Sequence, residues 1–409
     1  MSITSNSSSD VSATSSSDQM SSGKEAVLSS VQEAQQEHLQ LIDYVQSERA
    51  NTSESQATDK ANTVGTWFLT NMWYFAAASN KLKPGKTLTK VMLGQPVLIG
   101  RDRQGKLFAM VDICPHQGIP LSDGWFNGTE VTCCFHGWTF DTNGVCTSIP
   151  SLVDDQKLNI CKIKTKSFPC QETMGSIWVY FGDKTENLPA IPQAPGLDGL
   201  KWDKTITTLP IPTHIDFAAA ALIDPAHVPY VHKSWWWRSA KSMKEKYKHY
   251  VPDDTGWTMV RHRPSPHSIV FKLFGKYIET EIGFRLPGCR IEQIIIGGRT
   301  ILSGITTLTP VDETNTELNH TTYWTIPYLA PLLTPIINYF VTEFLSQDKD
   351  IAIKQQVGLR YKTNLIMTVK DAGTPGRWYF QLKKAWADAS REGRAFINPV
   401  KESYLRWRS

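Results

Sequence analysis

At 409 residues, with 41% apolar and 11% aromatic side chains, the chain is long enough to bury a large core in two domains. Its 43 basic and 39 acidic residues leave a formal charge of +4, too balanced to imply a nucleic-acid partner or an anionic membrane surface. Seven cysteines are too few for a disulfide scaffold of this length.

Residues 1–63 read as a tail. The first 22 are dominated by Ser, Thr and Asp and offer almost nothing to bury, so disorder is expected there. From Lys24 to Arg49, Val27, Val31, Ala34, His38, Leu41 and Val45 recur at alternating four and three, which predicts an amphipathic helix with a short coiled-coil-like seam. Asn51 to Thr63 is a polar linker. No apolar segment of a secretory signal is present, and Asp10, Asp18, Glu25, Glu33 and Glu37 argue against a plastid transit peptide. The expected location is cytoplasmic, with peripheral membrane association as the alternative.

The folded part begins near Trp67. Met72–Ala77 is apolar and aromatic, Lys83-Pro84-Gly85 is a turn, and strands are expected at Val91–Ile99, Lys106–Val111 and Ile177–Phe181. Short strands between turns predict an antiparallel domain over residues 64–185, closed by Pro189, Pro192 and Pro195. From it project Cys114-Pro-His116 and, sixteen residues on, Cys133-Cys134-Phe135-His136-Gly137-Trp138. Each loop offers one thiolate and one imidazole. A zinc finger groups its cysteines and histidines separately, whereas a Rieske-type [2Fe–2S] centre holds one iron by two Cys and the other by two His. The interleaved pattern therefore favours the cluster over structural zinc. Cys134 could also pair with His136; register favours Cys133, and Cys134 is read as a neighbouring thiol outside the ligand set. Cys146, Cys161, Cys170 and Cys289 read as buried free thiols.

These two motifs resemble those of the Rieske non-heme iron oxygenases, with Gly144 and Pro150 where such domains carry a further turn. Cys134 departs from the family, which usually has proline there. The resemblance spans about residues 67–385 and is strongest toward the subgroup with chlorophyllide and pheophorbide oxygenases and the O-demethylases. It implies an α+β chain: an N-terminal antiparallel β Rieske domain, then a helix-grip (START/Bet v 1-like) catalytic domain with a curved antiparallel sheet over 186–409. It also implies a head-to-tail homotrimer, with Cys114, His116, Cys133 and His136 as cluster ligands.

Downstream lies Asp224-Pro-Ala-His227-Val-Pro229-Tyr-Val-His232. Two histidines five apart point about 140° from each other on a straight helix, so Pro229 must break that regularity to bring the rings together. The family carries such a pair as part of a 2-His-1-carboxylate site, which leaves positions on ferrous iron for O2 and substrate. For the third ligand the chain offers Asp348 and Asp350. Asp348 shares a helical stripe with Phe340, Phe344, Ile351 and Gln355, while Asp350 falls with Glu343 and Lys354 on a solvated face. The family's acid with Gln seven residues later also matches Asp348. Asp224 resembles the family's bridging Asp, which links the mononuclear iron to a cluster His, here His136, of a neighbouring subunit; the plainer alternative is a cap before Pro225. Many relatives have Asn where this chain has Ala221, which removes some hydrogen bonding around that bridge.

Thr325–Leu345 contains Pro327, Pro331, Pro335, Asn338 and Glu343, and reads as a proline-rich turn feeding a buried helix rather than a membrane span. The expected function is a terminal oxygenase using a [2Fe–2S] cluster, mononuclear Fe(II) and O2 to hydroxylate, demethylate or desaturate a hydrophobic, aromatic or polycyclic substrate. The alternative is a Rieske electron carrier without oxygenase activity. No Gly-x-Gly-x-x-Gly follows a strand, so a separate NAD(P)H-dependent reductase, a ferredoxin or both would supply electrons. Trp235, Trp236 and Trp237 either meet the substrate or pack an interface, with Arg238 a candidate carboxylate anchor. Glu279–Leu286 and Arg290–Ile296 read as strands lining the cavity.

Overall fold

The first expected strand, Val91–Ile99, is in fact split by a tight turn. In the computed structural model, which describes residues 64–184, 186–234, 243–264, 277–325, 330–361 and 367–409, Leu93 and Gly94 both take positive φ (52° and 74°). Two successive left-handed residues make the two-residue turn that suits the twist of a hairpin, and Gly94 adopts it without steric cost. The tail, the 24–49 pattern and Trp235–Arg238 lie outside the described residues.

Eleven short strands build the first half: β1 (Met72–Ala78), β2 (Lys86–Met92), β3 (Gln95–Arg101), β4 (Leu107–Val111), β5 (Trp125–Phe126), β6 (Glu130–Thr132), β7 (Thr139–Asp141), β8 (Cys146–Ser148), β9 (Ser167–Phe168), β10 (Cys170–Thr173) and β11 (Ser176–Phe181). They form three small sheets ordered β1-β11-β10, β2-β3-β4-β9 and β5-β6-β7-β8. A core of Leu98, Phe108, Met110, Leu121, Val131, Phe140 and Ile149 fills the space under the two motif loops and includes Cys114 and Cys133 themselves. Truncating a Leu, Met or Phe there would cost about 2–5 kcal/mol.

The second half is one antiparallel sheet of eight strands. In chain order these are β12 (Asp203–Ile211), β13 (Glu245–Asp253), β14 (Gly256–His262), β15 (Ile278–Arg285), β16 (Cys289–Ile296), β17 (Arg299–Pro310), β18 (Thr316–Trp324) and β19 (Ser403–Arg408). The spatial order is β12-β18-β17-β16-β15-β14-β13-β19. Among the described residues four helices accompany it: α1 (Ile215–Ile223), α2 (Val228–Val231), α3 (Ala330–Leu359) and α4 (Thr374–Glu392). Tyr250, Trp257 and Phe284 from the sheet pack with Trp378 and Tyr379 of α4 in an aromatic core. The expected curved sheet with helices laid on it is what forms.

Two expectations on α3 need correction. Leu332, Ile336 and Tyr339 are exposed, so the start of the helix is not buried. The inward stripe is Val341, Leu345, Ala352 and Gln356, whereas Ile351 and Gln355 face outward. The proposed stripe was one residue out of phase at its far end, because a 3.6-residue period drifts from a 4-4-3-4 spacing. No helix among the described residues is long and apolar enough to cross a membrane.

Candidate metal centres

The two motif loops repeat one backbone design nineteen residues apart. Cys114 N donates to Ile119 O at 2.8 Å and Cys133 N to Trp138 O at 2.9 Å. Gly118 N donates to Cys114 O at 2.9 Å and Gly137 N to Cys133 O at 3.1 Å. Gly118 and Gly137 both have positive φ (78° and 70°), a conformation that costs other residues energy. Cys133, not Cys134, is thus the equivalent of Cys114. Burial agrees: Cys114 and Cys133 are each 2% exposed, while Cys134 is on the surface. Cys161, expected to be buried, is also exposed; Cys170 is half-buried, and Cys146 and Cys289 are buried.

Both imidazoles sit at the surface. The rings of His116 and His136 are 4.6 Å apart, His116 stacks on Trp138 at 4.3 Å, and exposed Phe135 lies 3.9 Å from His136. Burial and the adjacent Cys133 side chain push the Cys114 thiol up. Two buried thiols beneath two surface imidazoles match the donor set of a Rieske cluster, and a metal charge would favour the Cys114 thiolate that burial disfavours. Sequence reading missed the brace. Asp112, just before the first loop, accepts from Ser122 N at 2.7 Å and Ser122 Oγ at 2.6 Å, and Thr165 Oγ1 donates to Val111 O at 3.1 Å.

The second cluster of donors forms where α1 ends. His214 caps α1 by accepting from Asp216 N at 3.1 Å, and Asp224 closes it. Asp224 Oδ1 then accepts from Ala226 N at 2.7 Å, so this acid does cap the turn. Pro229 sits in the first turn of α2, where the missing N–H costs nothing; it starts a helix rather than kinking one. His227 precedes that helix and His232 leaves it at φ −86°, ψ 87°. The single turn between them brings the rings together. His227 Nε2 lies 3.3 Å from His232 Nε2, and Asp348 Oδ1 lies 3.6 Å and 3.5 Å from them.

A triangle with these edges lets each donor sit about 2.0–2.2 Å from one ion, the length of ordinary N and O bonds to a divalent metal. His232 is 1% exposed and stacks on Phe344 at 3.6 Å, which sets its ring plane. Burial pushes His227 down, against the pull of nearby Asp224, and raises Asp348 to about 7, opposed by Arg290. Glu343, expected in solvent, instead accepts from Ser234 Oγ at 2.6 Å and Gln347 Nε2 at 2.5 Å. Those bonds fasten the segment after His232 to α3.

Residues 72–169 match the Rieske [2Fe-2S] domain model. The chain is similar to the 4beta-methylsterol monooxygenase of Methylococcus capsulatus, 28% identical over 67% of this chain and 72% of the relative. It is also similar to a cholesterol 7-desaturase of Ciona intestinalis, 26% identical over 76% of this chain and 68% of the relative. The chain belongs to the Rieske non-heme iron oxygenases. Membership brings a [2Fe–2S] cluster, a mononuclear iron and the use of O2. The oxygenase is also 33% identical to the chlorophyllide a oxygenase of Chlamydomonas reinhardtii, over 41% of its own length and only a quarter of that protein. Its fold matches dicamba monooxygenase bound to dicamba with a TM-score of 0.64, at 20% identity, over 79% of this chain and 99% of that one.

Proposed function

We propose that this oxygenase oxidises a neutral, sterol-sized polycyclic substrate, with residues 64–185 receiving electrons and residues 186–409 holding substrate and mononuclear iron. The observation that carries the reading is the meeting of His227, His232 and Asp348 within 3.6 Å of one another, far downstream of the cluster motif. A pure electron carrier has no use for that site. Cys114 and Cys133 would hold one cluster iron, His116 and His136 the other, and His227, His232 and Asp348 the mononuclear ion. A cluster so held supplies single electrons, and a ferrous ion with three protein ligands leaves positions for dioxygen beside the substrate.

The chain's own residues do the rest. Phe344 holds the His232 ring, the Ser234–Glu343–Gln347 bonds hold the loop behind it, and burial keeps His227 neutral, as a metal ligand must be. Asp224 would couple the ion to His136 of the partner subunit in a head-to-tail trimer. Electrons would come from a separate NAD(P)H reductase or ferredoxin; the dicamba O-demethylase relative is named as an oxygenase component.

The substrate class rests on coverage. The alignments to the two sterol enzymes span 291 and 342 residues, so they must reach well beyond 72–169 into the half that carries the triad. The test is oxygen uptake with a surrogate reductase and a panel of sterols, aromatic acids and tetrapyrroles, followed by mass analysis. A sterol product that gains one oxygen or loses two hydrogens is expected. Undiminished turnover by His227→Ala, or a product only from another class, would overturn the reading.

A further inference from the structure

On the helix-covered face of the sheet, a polar patch interrupts an otherwise apolar lining. The ladder aligns Arg290, Thr306, His320 and Thr207 in one row across β16, β17, β18 and β12. The next row on the same face is Glu292, Gly304, Thr322 and Thr205, since opposed residues share a face and side chains alternate along each strand. Helix α3 covers this face: its Asn338 Oδ1 accepts from Thr205 Oγ1 at 2.5 Å and Thr207 Oγ1 at 3.4 Å. Asp348 lies on the same helix, and the Arg290 charge acts on both Asp348 and His227. The patch therefore lies under the helix that carries Asp348.

Its groups are arranged for a guest. Arg290 Nη2 pairs with Glu292 Oε2 at 2.8 Å, and Thr306 Oγ1 meets His320 Nδ1 at 2.8 Å. Thr322 Oγ1 and Trp324 Nε1, on the same face of β18, are buried with no hydrogen-bond partner among the described residues. Leaving such groups unpaired costs free energy that a ligand can recover. Gly304 lets Glu292 and His320 draw together over β17: a Cβ there would lie 3.1 Å from Glu292 Cγ and 3.2 Å from His320 Cε1.

We infer that Arg290, Glu292, His320 and Thr322 recognise a neutral hydroxyl group of the substrate beneath α3. The inference rests on the sterol reading above and adds which end of such a molecule the protein grips. An ion pair has no net charge to offer, so a carboxylate or sulfate would meet Glu292 and an ammonium would meet Arg290. An alcohol suits both, donating to the Glu292 carboxylate while accepting from the guanidinium or the Thr322 hydroxyl.

The test is equilibrium dialysis of the full-length holoenzyme, under nitrogen, against cholesterol, cholest-5-ene and cholesterol sulfate carried in cyclodextrin. Wild type should bind cholesterol at least tenfold more tightly than cholest-5-ene, which lacks only the hydroxyl. The Arg290→Leu/Glu292→Leu double variant should bring that ratio near one while keeping cholest-5-ene affinity within twofold, which also reports a folded pocket. Gly304→Ala, which crowds Glu292 and His320, should lower the ratio in the same way. Equal affinity of wild type for cholesterol and cholest-5-ene would overturn the inference and leave the sterol reading standing. Tighter binding of the sulfate would overturn the preference for a neutral group, and binding of none of the three would overturn both readings.

Discussion

Cys133 and Cys134 are neighbours in sequence and opposites in environment. The first closes the repeated loop and packs into the core; the second faces solvent. Cys133→Ser should abolish the visible absorption of the cluster and its iron, whereas Cys134→Ser should keep both, as read by absorption spectrum and metal analysis. His214 offers a residue-scale test of stability. Burial lowers it to about 4, with Asp216 opposing and Lys383 assisting. Its folded pKa lies below the unfolded value of about 6.5, so the unfolded chain takes up the proton first. The stability this neutral ring permits is present above about pH 6.5 and lost as pH falls toward 4, to a depth on the order of 3 kcal/mol. His214→Asn retains a helix-capping side chain and should flatten that slope, measured by urea melts at pH 7.5 and 5.0.

At the scale of elements, α1 must hold still for the metal loop behind it to be placed. Its Asp216, 1% exposed, accepts from Tyr379 at 2.7 Å and Lys383 at 2.6 Å on α4 and from Gly65 N at 2.9 Å. Lys383 also donates to Trp67 O at 2.8 Å and lies 3.8 Å over the Trp67 ring. One carboxylate thus ties the start of the described chain, α1 and α4 together. Asp216→Ala should cost about 3–5 kcal/mol, because it strands a buried ammonium. Adding Lys383→Met should recover part of the loss, and a double-mutant cycle by calorimetry measures how much. Gly124 plays the corresponding part beside the second cluster loop. A Cβ there would fall 1.9 Å from Thr132 O, next to Cys133, so Gly124→Ala should lower cluster occupancy without touching a ligand.

For the whole molecule, the proposed bridge through Asp224 makes electron transfer a property of the assembly. Cys133→Ser chains keep the triad and His227→Ala chains keep the cluster loops, and each alone should be inactive. Co-expressed in one oligomer, they should regain a measurable fraction of wild-type oxygen uptake, because one chain's cluster would serve its neighbour's iron. Absence of recovery in mixed assemblies verified by mass would place the transfer within a single chain.

The Cys-x-His and Cys-x2-His loops could be read from local spacing, whereas His227, His232 and Asp348 were expected chiefly from the family resemblance, since two histidines around Pro229 and an acid on a distant helix carry little signal by themselves. The same local logic separated β15 from β16 and ended β11 at Phe181. What sequence could not give was anything set by distant strands. The pairing of Glu343 with Ser234, the grip of Lys383 on Asp216 and the alignment of Arg290, through Thr306, with His320 in one row of the sheet join residues from 30 to over 160 positions apart. Local periodicity carries no record of such partners, since the register of an eight-stranded sheet and the helices laid on it arise only when the whole chain packs at once.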